Sequence, residues 1–280
     1  MPITKEVYSD IRLTLSVAVM GIISLCPLQA AAETFDEVSP ERINPSRFEK
    51  VKDRLNKWNV VIGAGGIYAP KFEGSDEFEV QPFPMFSATF GEHVTVDPRG
   101  ISIDVYRYQN FNFTAKIGYE AGRQEDDSDH LKGLGDVDAG AVIGGKLAYE
   151  LGPVELFTSF DKTIGGSDGL VGTVGASVSH SYKQFLFSAG ASATWADANH
   201  MESYFGVTSA QSARSGLAAY DAGAGFKRVD FEASVTYVTE KSWLIQGQIG
   251  VGYLVGDAAD SPIVQEAFQP SAMLMLGYKF

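Results

Sequence analysis

From Trp58 onward, apolar and polar residues alternate with a period of two in segments of about ten to fourteen residues, the period of a strand covered on one face. Phe113, Ala115, Ile117, Tyr119 and Ala121 oppose Thr114, Lys116, Gly118, Glu120 and Gly122. Ala139, Ala141, Ile143, Leu147 and Tyr149 likewise oppose Asp138, Gly140, Gly144, Lys146 and Glu150. The last residues repeat the pattern: Pro270, Ala272, Leu274, Leu276, Tyr278 and Phe280 on one side, Ser271, Met273, Met275, Gly277 and Lys279 on the other. Divided at Gly, Asp, Asn and Pro, the chain yields strands over 58–69, 78–90, 92–106, 111–122, 136–150, 153–164, 170–183, 185–198, 216–227, 229–240, 242–256 and 270–280.

The second face separates two all-β architectures. A soluble sandwich keeps glycine out of its strand interiors, because glycine weakens them. A membrane barrel turns its apolar face to lipid and packs small residues and a few charges into its lumen. Gly140, Gly144, Gly190, Ser192 and Thr194 favour the barrel, as do aromatics near segment ends such as Trp195, Trp243, Tyr149, Tyr182 and Tyr253. The prediction is a closed transmembrane antiparallel β-barrel of about twelve strands, of outer-membrane type, over residues 58–280. Tyr278 and Phe280 finish its last strand, and a terminal aromatic of this kind resembles the signal read by the barrel-assembly machinery.

Composition narrows the partners. The formal net charge of -13, without any basic cluster, disfavours nucleic acid. Apolar runs fall short of a spanning helix, and the longest, Leu13 to Leu25, lies behind Lys5 and Arg12 and ahead of Ala30-Ala31-Ala32. Residues 1–32 therefore read as a cleaved signal peptide, and 33–57 as a polar periplasmic extension. Cys26, the only cysteine, lies within the signal, so the mature chain has no disulfide or cysteine metal site.

Several strings are more specific than composition: Trp58 to Pro70, Phe72-Glu73-Gly74-Ser75-Asp76, Pro82-Phe83-Pro84 and Val96-Asp97-Pro98-Arg99-Gly100. Gly133 to Val137, Tyr204 to Thr208 and Gly256 to Pro262 complete the set. Together they closely resemble the MipA/OmpV family of outer-membrane proteins over roughly the whole of 58–280. That resemblance implies a non-enzymatic scaffold in the Gram-negative outer membrane, bridging a murein lytic transglycosylase and a bifunctional penicillin-binding protein. Other relatives are porin-like, so a passive channel for small solutes is the alternative.

Catalytic, cofactor and metal sites are not assigned. Gly63-Ala64-Gly65-Gly66 sits in a strand and lacks the following helix of a nucleotide loop. Period two puts His180 opposite both Ser179 and Ser181. The acidic run Glu125 to His130 lacks the glycine and terminal glutamate of a calcium loop and reads as a solvated loop or docking surface. Thr208, Gln211 and Gly216 predict a short helix with a capping box.

Counting back from a periplasmic Phe280 makes loop 257–268 external and the long loops 123–135 and 199–215 periplasmic. Arg123, Glu125, Asp126, Asp127, Tyr204 and Phe205 are then candidate partner-binding residues. Lys116, Glu120, Lys146, Glu150 and Glu232 are candidate lumen charges.

Overall fold

A computed structural model of the protein describes residues 58–280 other than Glu92, so the segments expected to be a signal peptide, 1–32, and a polar extension, 33–57, lie outside the described residues. Twelve antiparallel strands form a closed barrel. In chain order they are β1 Trp58–Pro70, β2 Phe78–Phe90, β3 Val94–Asp97, β4 Gly100–Tyr108, β5 Phe111–Glu120 and β6 Gly140–Leu151. They continue as β7 Val154–Ile164, β8 Leu170–Tyr182, β9 Phe185–Ala196, β10 Gly225–Val238, β11 Trp243–Leu254 and β12 Phe268–Lys279. Three helices lie between strands: α1 Ala198–Phe205, α2 Ser209–Ser215 and α3 Gly256–Ala259. β1 closes the ring on β12, with Ala64 opposite Leu276 and Gly66 opposite Leu274.

The strand count agrees with the sequence reading only because two errors cancel. The segment 92–106 is two strands, since Asp97 to Gly100 is a true turn: Asp97 Oδ1 accepts the Arg99 N–H at 2.8 Å, and Gly100 has φ 139°. The segments 216–227 and 229–240 are a single strand, β10, because the irregularity between Phe226 and Arg228 is a β-bulge rather than a turn. The count survives, but every strand direction between the two errors is inverted.

Loop placement is corrected accordingly. Short turns at 91–93, 109–110, 152–153, 183–184 and 239–242 share the end at which β1 begins and β12 finishes. The longer segments 71–77, 121–139, 197–224 and 255–267 all lie at the other end, so 123–135 and 199–215 join 257–268 instead of opposing it. Outer-membrane barrels keep short turns on the periplasmic side and long loops outside.

The outer face carries exposed Ile117, Ile143, Phe160, Phe231, Ile249 and Leu274, as a lipid-facing wall requires. Toward the short-turn end it bears ring pairs, among them Phe111 with Tyr149 at 4.5 Å and Phe185 with Tyr237 at 4.9 Å. The long segments hold two small apolar cores of their own. One is built from Met201, Phe205, Ala222, Leu254 and Ala258, the other from Phe72, Leu131, Leu134, Val207 and Ile263. They form a folded cap at the outward end, and this packing is what fixes otherwise long loops.

Candidate functional site: the cap and the lumen beneath it

Local sequence signals set the cap helices. Asp197 caps α1 by accepting the His200 N–H at 3.0 Å. Thr208 and Gln211 form the expected capping box on α2, and Gly216 ends it in the left-handed region at φ 79°. Gln211 Nε2 then donates to the Leu134 carbonyl at 2.5 Å, tying α2 to the 121–139 segment.

The candidate partner-binding residues come together, but largely as internal bracing of the cap. Arg123 is 5% exposed and donates through Nη1 to the Tyr204 carbonyl at 2.7 Å, while Phe205 is fully buried. Burial removes both from any docking surface, which corrects that assignment for them. Glu125 Oε2 accepts the Gly133 and Gly135 N–H groups at 3.0 Å each, and Asp127 Oδ2 accepts the Gln124 N–H at 2.9 Å. Asp126 remains exposed and Tyr204 half-buried. Among the described residues, no group of three or more His, Cys, Asp or Glu is placed to hold a metal.

The bulge in β10 supplies a feature that alternation hides. Because Lys227 is the extra residue, it and Arg228 both turn inward, whereas neighbours on a regular strand face opposite ways. Lys227 Nζ lies 2.7 Å from Glu73 Oε2, and Arg228 Nη1 lies 3.7 Å from Glu73 Oε1. Arg228 Nε also donates to Asp230 Oδ1 at 2.6 Å. Burial works against ionisation of Glu73, yet the two cations outweigh it and hold its pKa down to about 2.

His200 closes the network from α1. Its Nε2 is 3.1 Å from Lys227 Nζ and so accepts, which leaves the proton on Nδ1, facing Glu120 Oε1 at 3.6 Å. Burial, reinforced by the neighbouring Lys227 charge, lowers its pKa to about 3. Burial also pushes the Tyr204 phenol up, helped by Glu120, and lowers the Arg123 guanidinium. Ser167 Oγ donates to Glu120 Oε2 at 2.8 Å. The carboxylate thus stands between hydroxyl and imidazole, an order that gives the serine no base. Sequence alternation assigns His200 no role and gives Glu73 only as part of a motif; the adjacent cations Lys227-Arg228 were the available signal.

The five candidate lumen charges all lie on the inward face, and the two lysines are in ion pairs. Lys116 Nζ meets Asp161 Oδ2 at 2.8 Å, and Lys146 Nζ meets Glu155 Oε1 at 2.7 Å. Glu150 and Glu232 stand on inward positions of β6 and β10, and Glu120 is taken up by the cap. His180 points to the outer face, away from Ser179, whose hydroxyl meets Ser188 at 3.0 Å.

Residues 62–280 match the family described as MltA-interacting protein MipA. The chain belongs to that family. Curated protein sequences give no match to it. Solved structures with a similar barrel include the NanC porin, at 10% identity and a TM-score of 0.42, covering 78% of this chain and 100% of that one. A loop-deletion form of OmpT from Vibrio cholerae gives 6% identity and a TM-score of 0.36, covering 80% and 98%. OprD from Pseudomonas aeruginosa gives 8% identity and a TM-score of 0.34 over 79% of this chain and 59% of that longer one. The closed antiparallel wall with its apolar outer face makes this MipA-family chain a β-barrel of outer-membrane type. At its seam, Phe280 N donates to the Val60 carbonyl at 2.9 Å, and the Tyr278 ring stands between Phe280 at 4.9 Å and Trp243 at 5.2 Å.

Proposed function

We propose that this barrel is a non-enzymatic scaffold that anchors peptidoglycan-remodelling enzymes, a lytic transglycosylase and a bifunctional penicillin-binding protein, at the inner surface of the outer membrane. The observation that carries this reading is the family membership, whose description names an interaction with MltA. The cap supports it, because an outward mouth filled by packed helices and a buried ion network is built for stability rather than for free passage. Since the long loops belong to the cap, docking falls to the short-turn end, with Lys183, Glu240 and Lys241 exposed at its turns. The polar extension 33–57 leads into β1 at that same end. Photocrosslinkers at Lys183 and Lys241 in living cells should capture a lytic transglycosylase. Capture of no murein enzyme from either turn or from the extension would reject the scaffold.

A porin-like channel is the second reading, favoured by the lumen pair Lys116 and Asp161, whose side chains stay 38% and 27% exposed beneath the cap. Purified barrel in a planar bilayer should conduct, and Lys116→Gln should alter its ion selectivity. A silent bilayer with demonstrably inserted protein would dismiss the channel.

A further inference from the structure

The wall of the barrel is not laddered all the way round. β2 pairs with β1 along its whole length, from Trp58 opposite Phe90 to Pro70 opposite Phe78. On its other side it pairs with β3 only at Ala88, Thr89 and Phe90. β3 and β4 turn back at Asp97 and Gly100, and Gly100 stands opposite Gly118, near the outward end of β5. The edge of β2 from Phe78 to Ser87 therefore has no strand beside it, in a wall where every neighbouring pair apart from those of the short β3 is extensively laddered. With two strands missing above the β3–β4 turn, β2 and β5 stand three strand spacings apart there, about 14 Å at the usual spacing of neighbouring strands.

The gap has a frame. The β3–β4 turn is its sill. The cap closes its top, where Ser128 Oγ reaches Glu77 Oε2 at 3.4 Å and the Phe72 and His130 rings stack at 6.5 Å. Pro82 and Pro84 lie on the free edge. Proline is tolerated in a strand where its nitrogen faces no partner, so these two, of one parity, turn their donor-less nitrogens into the gap. The contact at 3.2 Å between the Thr89 and Thr95 hydroxyls agrees, since it marks the closer, non-hydrogen-bonded pair and leaves Ala88 and Phe90, of the proline parity, bonded to β3. An edge stripped of donors is a poor template for a further strand. Outside the gap stand exposed apolar side chains, Val80, Phe86, Ile117 and Tyr119, at the level of the lipid-facing wall; inside lie Glu79, Gln81 and Phe83.

We infer that this window between β2 and β5 is a lateral port through which an acyl-chain amphiphile of the outer leaflet reaches the lumen, its chain passing the proline edge and its polar head meeting Glu79 and Gln81. Lipid is what the outer face already contacts, and the prolines disfavour closure of the window by a partner strand. The port would serve a scaffold or a channel alike, so it does not depend on the proposed function.

The test uses tryptophan fluorescence in liposomes of phosphatidylcholine brominated at defined acyl depths. With the three native tryptophans replaced by Phe, Phe83→Trp and Gln81→Trp report on the inner side of the window, and Gln248→Trp reports on inward β11, which is laddered on both sides. Heat-modifiable migration verifies that each variant is folded. Brominated chains are expected to quench both window reporters at least twofold more than Gln248→Trp. Equal quenching at all three positions would overturn the port, as would quenching of the window reporters by aqueous acrylamide alone.

Discussion

Lys227 Nζ and Glu73 Oε2 lie 2.7 Å apart, joining the first outward segment to a bulge on β10, three strands round the barrel from β1. Both side chains are largely buried, and Arg228 shares the carboxylate. Removing one partner of a buried pair leaves an uncompensated charge and costs roughly 3–5 kcal/mol. Glu73→Gln should therefore loosen the cap while leaving the barrel intact. Hydrogen exchange over 71–77 and 255–267 is expected to speed up about 100-fold or more, with strand amides of β6 to β9 unchanged. Adding Lys227→Met should restore part of the protection.

The same ion pair shows what the sequence made legible. Period two revealed the barrel, its inward charges and its outward rings, because each lipid-facing residue must be apolar whatever its neighbours do. It failed at two places where backbone geometry departs from that period. At Lys227 a bulge imitates a turn, and at Pro98-Arg99 a turn sits within what reads as one strand. The cap was legible only at α2, through Thr208, Gln211 and Gly216, since its cores join Phe72, Leu131, Val207 and Ile263 from four separate segments. Contacts between distant loops leave no periodic trace.

Acid should act on the cap through His200. Its folded pKa, about 3, lies below the unfolded value near 6.5, so between those values the unfolded state binds the extra proton. The contribution is complete above about pH 6.5 and is lost as pH falls toward 3. Glu73 acts in the same direction lower down, its contribution being present above its ordinary value of 4.5 and lost as pH falls toward 2. Proteolysis of the cap should thus become easier between pH 7 and pH 4. In His200→Gln the slope across pH 6.5 to 5 should flatten; an unchanged slope would assign the acid response elsewhere.

Adjacent glycines in β6 should respond differently to a methyl group. At Gly144, on the inward face, a Cβ would run into the Asp161 carboxylate and the Phe160 carbonyl, displacing the partner of Lys116. At Gly145, on the outer face, it would meet only the Phe113 and Phe160 rings at 3.3 Å, and rings bordering lipid can shift. Gly144→Ala should cost about 1–3 kcal/mol, as overpacking does, and Gly145→Ala less than about 1 kcal/mol. Urea midpoints of the barrel in detergent micelles give the comparison.

Sidedness follows from the ring topology and can be tested by cysteine labelling. Asp126 is exposed on the 121–139 segment and Lys241 on the β10–β11 turn, at opposite ends of the barrel. Cys26 is the chain's only cysteine, so a Cys26→Ser background carries no competing thiol. A membrane-impermeant maleimide should label Asp126→Cys in intact cells and Lys241→Cys only after the outer membrane is permeabilised. Short turns face the periplasm in barrels whose ends both lie there, because long loops are added on the outer side. The reverse labelling pattern would put the cap in the periplasm, where Asp126 and Tyr204 would regain their place as candidate contacts for murein enzymes and the short turns would lose it.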